Sequence, residues 1–210
     1  DAIEEAFAMG GKWEPWGFEN MDWLEPGYGR LLSDVVFNVY NTRAGGIHAP
    51  FITAERPPYI RNVYNLFPAQ NQIDGRFERL LSMLSGNYLS IKSKKGNNDV
   101  AYLPILRKSE LYYIKGEYLA SIGQVSEAVD LLREIRSSRG DISVDDLNTV
   151  TTEMGYIEAM LTDARKEFIG EGQSFYLFKR LNLPVFDGVQ NIDFRNLYTL
   201  PVPKSEEVVF

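Results

Sequence analysis

Residues 106–140, LRKSELYYIKGEYLASIGQVSEAVDLLREIRSSRG, constrain the fold more than any other stretch of the chain. Apolar and small residues recur there with a helical period on both sides of a turn signal, so the stretch reads as two antiparallel helices. Gly123 falls where a left-handed residue can close the first helix, and Ser126 falls where a hydroxyl can accept from an orphan N–H at the start of the second.

The spacing resembles a tetratricopeptide-type repeat. With Ser109 as the first position, Tyr112 takes the place of the bulky aromatic, Gly116 the place where helices touch, and Ala128 the place of closest packing in the second helix. Leu119, Leu132 and Ile135 occupy the remaining apolar positions, and Lys115 departs from the leucine preferred there. A single helical pair cannot bury both of its faces. The chain shows one clear copy, so its partners are expected from a non-repeat helix, another part of the gene product or another protein.

With 210 residues and 44% hydrophobic content, the chain is long enough to bury roughly 70% of the surface its unfolded form exposes. The net charge of -7 argues against a nucleic-acid surface, which requires clustered Lys and Arg. Lys92, Lys94 and Lys95 form the one short basic run, and Gly96, Asn97 and Asn98 after it read as a solvated turn. Without cysteine there are no disulfides, thiolate metal sites or cysteine nucleophiles. No run of about 18 apolar residues occurs, and the N-terminus lacks the basic region of a signal peptide. Opening on Asp1, the chain reads as mature or truncated.

Residues 1–29 are rich in aromatics, glycine and proline. Trp13, Trp16 and Trp23, which are all the tryptophans of the protein, lie here with Phe18 and Tyr28. Pro15, Pro26 and the glycines deny the segment a long helix, so its rings are carried on loops. They either plug a core beneath those loops or form a flat platform for a ligand, since indole and phenol rings combine large area with a polar handle.

Residues 32–40, LSDVVFNVY, favour a strand. Residues 41–72 then run without period through six glycines and prolines, the composition of a long functional or mobile loop. Arg43, Arg56 and Arg61 lie on it, as does His48, the one histidine. A lone histidine is a poor metal site, and a surface or hydrogen-bonded role is expected for it. No cofactor, metal site or catalytic residue is expected.

Phe77, Leu80, Leu81 and Leu84 predict a short amphipathic helix over residues 73–84, and residues 88–91 a brief strand. A longer helix is predicted over residues 155–181. Its stripe of Ile157, Met160, Leu161, Ala164, Phe168, Phe175 and Phe178 makes it the natural partner of the helical pair. Gly170 and Gly172 interrupt it, each at a cost of roughly 1 kcal/mol, which predicts close backbone approach or a local break. The set Arg165, Lys166, Glu167, Glu171, Lys179 and Arg180 reads as a solvated face, or in part as pairs that fix helix packing.

The chain resembles the SusD/RagB family of outer-membrane nutrient-binding lipoproteins in five elements, in order from about Ser33 to Glu206. Residues 33–40, SDVVFNVY, resemble the family's S-x-E-x-I-F strand, and Asp74, Arg76 and Phe77 its D-x-R-F element. Arg107, Glu110 and Glu117 match its LR-x-x-E-x-x-L-x-x-x-E helix. Arg165, Glu167, Glu171, Gly172, Phe175, Leu177 and Arg180 match the later E-R-R-x-E-x-x-x-E-G-x-R-x-x-D-L-x-R segment. Pro201, Pro203, Ser205 and Glu206 resemble its closing P-I-P-x-S-E. Tyr118, Gln173 and Phe178 depart from the motifs at packing positions.

The resemblance implies a mainly α fold: a tetratricopeptide-like helical pair packed on a further long helix, with long irregular loops and a few short strands. Residues 1–104 are expected to form the loop-rich, ligand-facing part and residues 105–210 the helical region, together one compact unit and the C-terminal portion of a longer chain. It also implies a non-enzymatic binding protein at the cell outer membrane, held by a lipid anchor outside this chain. Its partners are an oligosaccharide or other nutrient and a SusC-like TonB-dependent transporter.

The motifs lie in the scaffold and carry no site residues over. Composition alone nominates Trp13, Trp16, Trp23, Tyr28, Arg43 and Arg61 as the ligand site, aromatic faces for sugar rings with guanidinium donors beside them. Two alternatives stand beside this reading. A tetratricopeptide-like adaptor would bind a protein segment, although one repeat offers little concave surface. A glycan hydrolase would need two carboxylates about 5 Å apart, or roughly 6.5–9.5 Å apart for inversion, which Glu14, Glu19, Asp22 and Glu25 would have to supply.

Overall fold

The computed structural model describes residues 5, 35–41, 59–60, 63–68, 74–90, 101–141, 145–186 and 191–193. They fall into two units, Asp1–Gly170 and Glu171–Phe210. Among the described residues the fold is mainly helical with a few short strands, as the sequence predicts.

In the first unit, β1 (Val35–Asn41) pairs antiparallel with β5 (Ala101–Arg107), confirming a strand where the Val- and Tyr-rich run predicts one. The register shifts around Phe37, next to the pairing of Asn38 with Pro104. Proline has no N–H to give the ladder, so an irregular two-stranded edge suits it.

A second sheet has the order β2 (Tyr59–Ile60), β4 (Asn87–Ser90), β3 (Leu81–Leu84). Its hairpin turns at Ser85 and Gly86, both with positive φ, in the two-residue geometry that matches strand twist. The predicted helix over 73–84 is therefore corrected. A short helix, α2 (Gly75–Leu80), ends at Leu80, and Leu81–Leu84 belongs to the hairpin. The spacing of these four positions suits a helix, and the turn beyond them overrides it. A single turn, α1 (Val63–Leu66), packs beside this sheet. Val63, Phe67, Leu81 and Ile169 form a buried cluster with Ile60, Leu66, Phe77 and Tyr88 against it.

The helical pair is α3 (Lys108–Ser121) and α4 (Val125–Ser138), with α5 (Glu153–Glu167) packed across both. Tyr112, Ala128, Leu132 and Ile135 are buried where the repeat spacing puts them, and Leu119 is half-buried. Gly123 closes α3 with a φ of +86°. Ser126 is not the cap expected of it: α4 begins at Val125, Gln124 precedes it without a side-chain cap bond, and Ser126 is exposed. The atoms nearest to Gly116 belong to Tyr156 of α5, so the small residue also serves the third helix. A 3-10 turn, Asp145–Thr149, leads into α5, whose Thr152 accepts from the N–H of Gly155 at 3.1 Å.

The predicted long helix over 155–181 breaks where its glycines stand. α5 stops at Glu167, and Gly170 and Gly172 each have a φ of +78°. A β-carbon on Gly170 would lie 3.1 Å from that of Ser90, the close approach the sequence anticipates. Ile157, Met160, Leu161, Ala164 and Phe168 of the apolar stripe are buried.

In the second unit α6 (Gln173–Leu181) closes through Asn182 in the left-handed region. β6 (Val185–Phe186) and β7 (Asn191–Ile192) pair antiparallel. Phe178 of the stripe is buried, whereas Phe175 is 49% exposed.

Candidate functional site

Among the described residues of the first unit, the buried charged side chains converge on one network. Asp74 stands just before α2, and its carboxylate accepts from the backbone N–H of Arg76 at 3.0 Å, capping that helix. The same carboxylate accepts from Arg76 Nε at 2.9 Å and Nη2 at 3.0 Å. Arg76 reaches on to Asp163 Oδ1 at 2.8 Å and Glu167 Oε2 at 3.3 Å, both on the last turns of α5.

Glu167 is the hub. Arg107, at the end of β5, donates to its Oε1 at 2.6 Å and to its backbone carbonyl at 2.8 Å. The second bond satisfies a carbonyl that the helix end leaves orphaned. Arg139, following α4, forks onto both carboxylate oxygens, Nε to Oε2 at 3.2 Å and Nη2 to Oε1 at 3.0 Å. Tyr113 of α3 donates to Asp163, and Lys166 bridges Asp74 and Asp141 at 3.1 Å each. Arg107 also lies over the Phe168 ring, 4.8 Å from its centroid.

Burial sets the electrostatics. Desolvation opposes ionisation of Glu167, but Arg139, Arg107 and Arg76 overcome it and hold the carboxyl well below the usual carboxylate range. Asp74 is likewise pulled down, against its burial, by Arg76 and Lys166. Burial, with Asp163 next in weight, pushes the Tyr113 phenol well above its ordinary value, so it remains a donor. Among the described residues, five buried cations, Arg76, Arg107, Arg136, Arg139 and Lys166, face four buried carboxylates, Asp74, Asp141, Asp163 and Glu167. Exposed Asp146 completes the balance by accepting from Arg136 Nη1 at 2.8 Å. These groups are buried and paired with one another, the arrangement of a structural network. It pins four helices and the end of a strand in one arrangement.

Asp146 also lies on an open cleft of about 330 Å³ between the 3-10 turn and the first turns of α5. Thr149, Thr151, Thr152, Glu158 and Thr162 line it. Thr149 and Thr162 donate to the carbonyls of Asp146 and Glu158, which leaves their oxygens and the two carboxylates as acceptors. Such a lining suits a ligand rich in hydroxyl donors, although none of the described residues along it is aromatic.

Trp13, Trp16, Trp23, Tyr28, Arg43 and Arg61, the residues nominated from composition, lie outside the described residues, as do His48 and the KSKKGNN turn. The sequence motifs fare differently. Asp74 and Arg76, Arg107, and Glu167 come from three separate motifs, and the fold brings them together around one carboxylate. Lys166 and Glu167 are buried and paired, the second of the two readings of that charged set, while Lys179 and Arg180 are exposed. Arg139, Asp141 and Asp163 escaped sequence reasoning. The spacing of Asp163, Lys166 and Glu167 at i, i+3 and i+4 was the available signal, since it places three charges on one helical face.

A model of the SusD family matches residues 62–206. No curated protein and no solved structure matches the chain.

Proposed function

Because the chain belongs to the SusD family, a family of nutrient-binding proteins rather than enzymes, we propose that it captures oligosaccharides at the bacterial cell surface. In this reading it is part of an outer-membrane lipoprotein. A SusC-like TonB-dependent transporter receives the cargo.

The observation that carries the reading is the match over residues 62–206, whose motif residues Asp74, Arg76, Arg107 and Glu167 meet in one network. We assign capture to Trp13, Trp16, Trp23 and Tyr28 as ring-stacking faces, with Arg43 and Arg61 as donors to sugar oxygens, because these residue types supply both halves of sugar recognition. A glycan-array screen of the chain, followed by tryptophan fluorescence titration with each hit, tests it. A saturable shift with one glycan class, lost when Trp13, Trp16 and Trp23 are replaced together by alanine, is the expected result. No response from folded protein would overturn oligosaccharide capture.

The adaptor reading keeps one specific observation in its favour. Ile114, Tyr118 and Ile122 recur every four residues along α3 and its cap, and are 40%, 51% and 52% exposed. Peptide-array binding that Tyr118→Ala abolishes, without any glycan binding, would establish it.

A further inference from the structure

One aromatic surface of the first unit is used by none of the groups above. Tyr64 on α1 is 52% exposed, and its hydroxyl lies 2.9 Å from that of Tyr88 on β4. The rings meet edge to face, with centroids 5.7 Å apart and planes at 86°. Phe77 stands behind both, 5.2 Å from the Tyr88 ring and 6.2 Å from the Tyr64 ring, and Phe67 follows at 5.6 Å from Phe77. The inner end of this row belongs to the apolar cluster beneath the three-stranded sheet. The outer end presents phenols to solvent.

Two features distinguish this end from ordinary core edge. Its rings are fixed from behind, so a ligand meets a surface that needs no ordering on binding. Its hydroxyls bond each other at the surface rather than reaching inward. A phenol pair sharing one hydrogen bond keeps one O–H and the remaining oxygen lone pairs for a ligand. Met83, directly opposite Tyr88 on β3 and 58% exposed, adds apolar area.

Ring faces beside hydroxyl groups match a pyranose, which has an apolar C–H face and a polar edge. We propose that Tyr64 and Tyr88 form a sugar-stacking subsite that takes one pyranose unit of a bound oligosaccharide. The exposed ring of Tyr64 lies against the sugar's C–H face, and the phenol pair bonds its hydroxyls. The proposal rests on the oligosaccharide-capture reading and places a second contact for the same chain of sugars on described residues, apart from the tryptophans.

The test titrates maltohexaose, cellohexaose, xylohexaose and a fructan oligosaccharide by calorimetry into the full chain and into Tyr64→Ala, Tyr64→Phe and Tyr88→Phe. Far-UV circular dichroism and urea midpoints establish that each variant is folded. Tyr64→Ala is expected to weaken the oligosaccharide that the wild type binds by about tenfold through loss of a ring face. Tyr64→Phe and Tyr88→Phe, which keep the rings, are expected to weaken it by about threefold; they decide the matter if alanine impairs folding. Unchanged affinity in folded variants would overturn the subsite while leaving oligosaccharide capture intact, and would make the pair a staple between α1 and the sheet. A wild type that binds none of the four would remove the subsite along with the reading on which it rests. Binding of a proline-rich peptide instead, lost in Tyr64→Ala, would assign the patch to protein recognition.

Discussion

Gly116 of α3 and Tyr156 of α5 are in such close contact that a β-carbon on the glycine would overlap the tyrosine hydroxyl and lie 2.8 Å from the ring carbon bearing it. Tyr156 is fully buried and cannot swing away. An exposed helical Gly→Ala change gains about 1 kcal/mol of propensity, but overpacking here costs about 1–3 kcal/mol. Gly116→Ala is therefore expected to lower the urea midpoint. Adding Tyr156→Phe should recover part of the loss, because it removes the hydroxyl while leaving the ring carbon close. An unchanged or raised midpoint in Gly116→Ala alone would show that α5 can shift freely.

Removing Glu167 tests whether the buried network is the pin the geometry suggests. Its carboxylate is shared by Arg76, Arg107 and Arg139, so Glu167→Ala removes one charged partner from each of three buried guanidiniums. Breaking a buried pair costs about 3–5 kcal/mol, and Glu167→Ala is expected to reach that range in equilibrium denaturation. By contrast, Lys179→Ala on α6 removes an exposed charge and should change stability by less than about 0.5 kcal/mol. Equal effects from the two would contradict the burial assigned to Glu167.

Much of the helical core was legible because Tyr112, Ala128, Leu132, Ile135, Met160 and Ala164 each obey a local period. The network was not, because its members come from four distant stretches and only folding makes them neighbours. Arg139 and Glu167, for example, are separated by 28 positions yet bond twice. Leu81 and Leu84 misled for the opposite reason: their spacing suits a helix, while the Ser85–Gly86 turn immediately after them requires a hairpin. For the nominated ligand residues the sequence offered composition without period. Tryptophans set among glycines and prolines carry no spacing that fixes where they point.

Gly170 and Gly172 share a backbone conformation but differ in surroundings, which makes them a matched pair. Both have a φ of +78°, so any side chain adds left-handed strain of about 1–2 kcal/mol. A β-carbon on Gly170 would also press on Ser90 at 3.1 Å, whereas one on Gly172 meets nothing within 4 Å. Gly170→Ala is expected to be the more destabilising of the two, and Gly172→Asn milder than Gly172→Ala, since asparagine tolerates that region. Equal losses at both alanines would mean that Ser90 yields without cost.

Acid should dissolve the network in a defined direction. Glu167 and Asp74 ionise in the folded protein below their ordinary values of 4.5 and 3.8. A depressed folded value means the unfolded chain binds protons first, so the contribution is complete above the ordinary values and is lost as pH falls through the folded ones. Unfolding free energy is expected to decline from about pH 5 downward, and Glu167→Gln should flatten that decline because it removes one titrating carboxyl. Tyr113 has the opposite sign: burial raises its phenol, so its contribution is present below pH 10 and is lost as pH climbs above it. Absorbance at 295 nm during an alkaline titration reads this directly. Comparison with Tyr113→Phe should show that the Tyr113 share of the signal arrives only with unfolding; a share that arrives with the exposed tyrosines would mean the phenol is not held in the buried bond to Asp163.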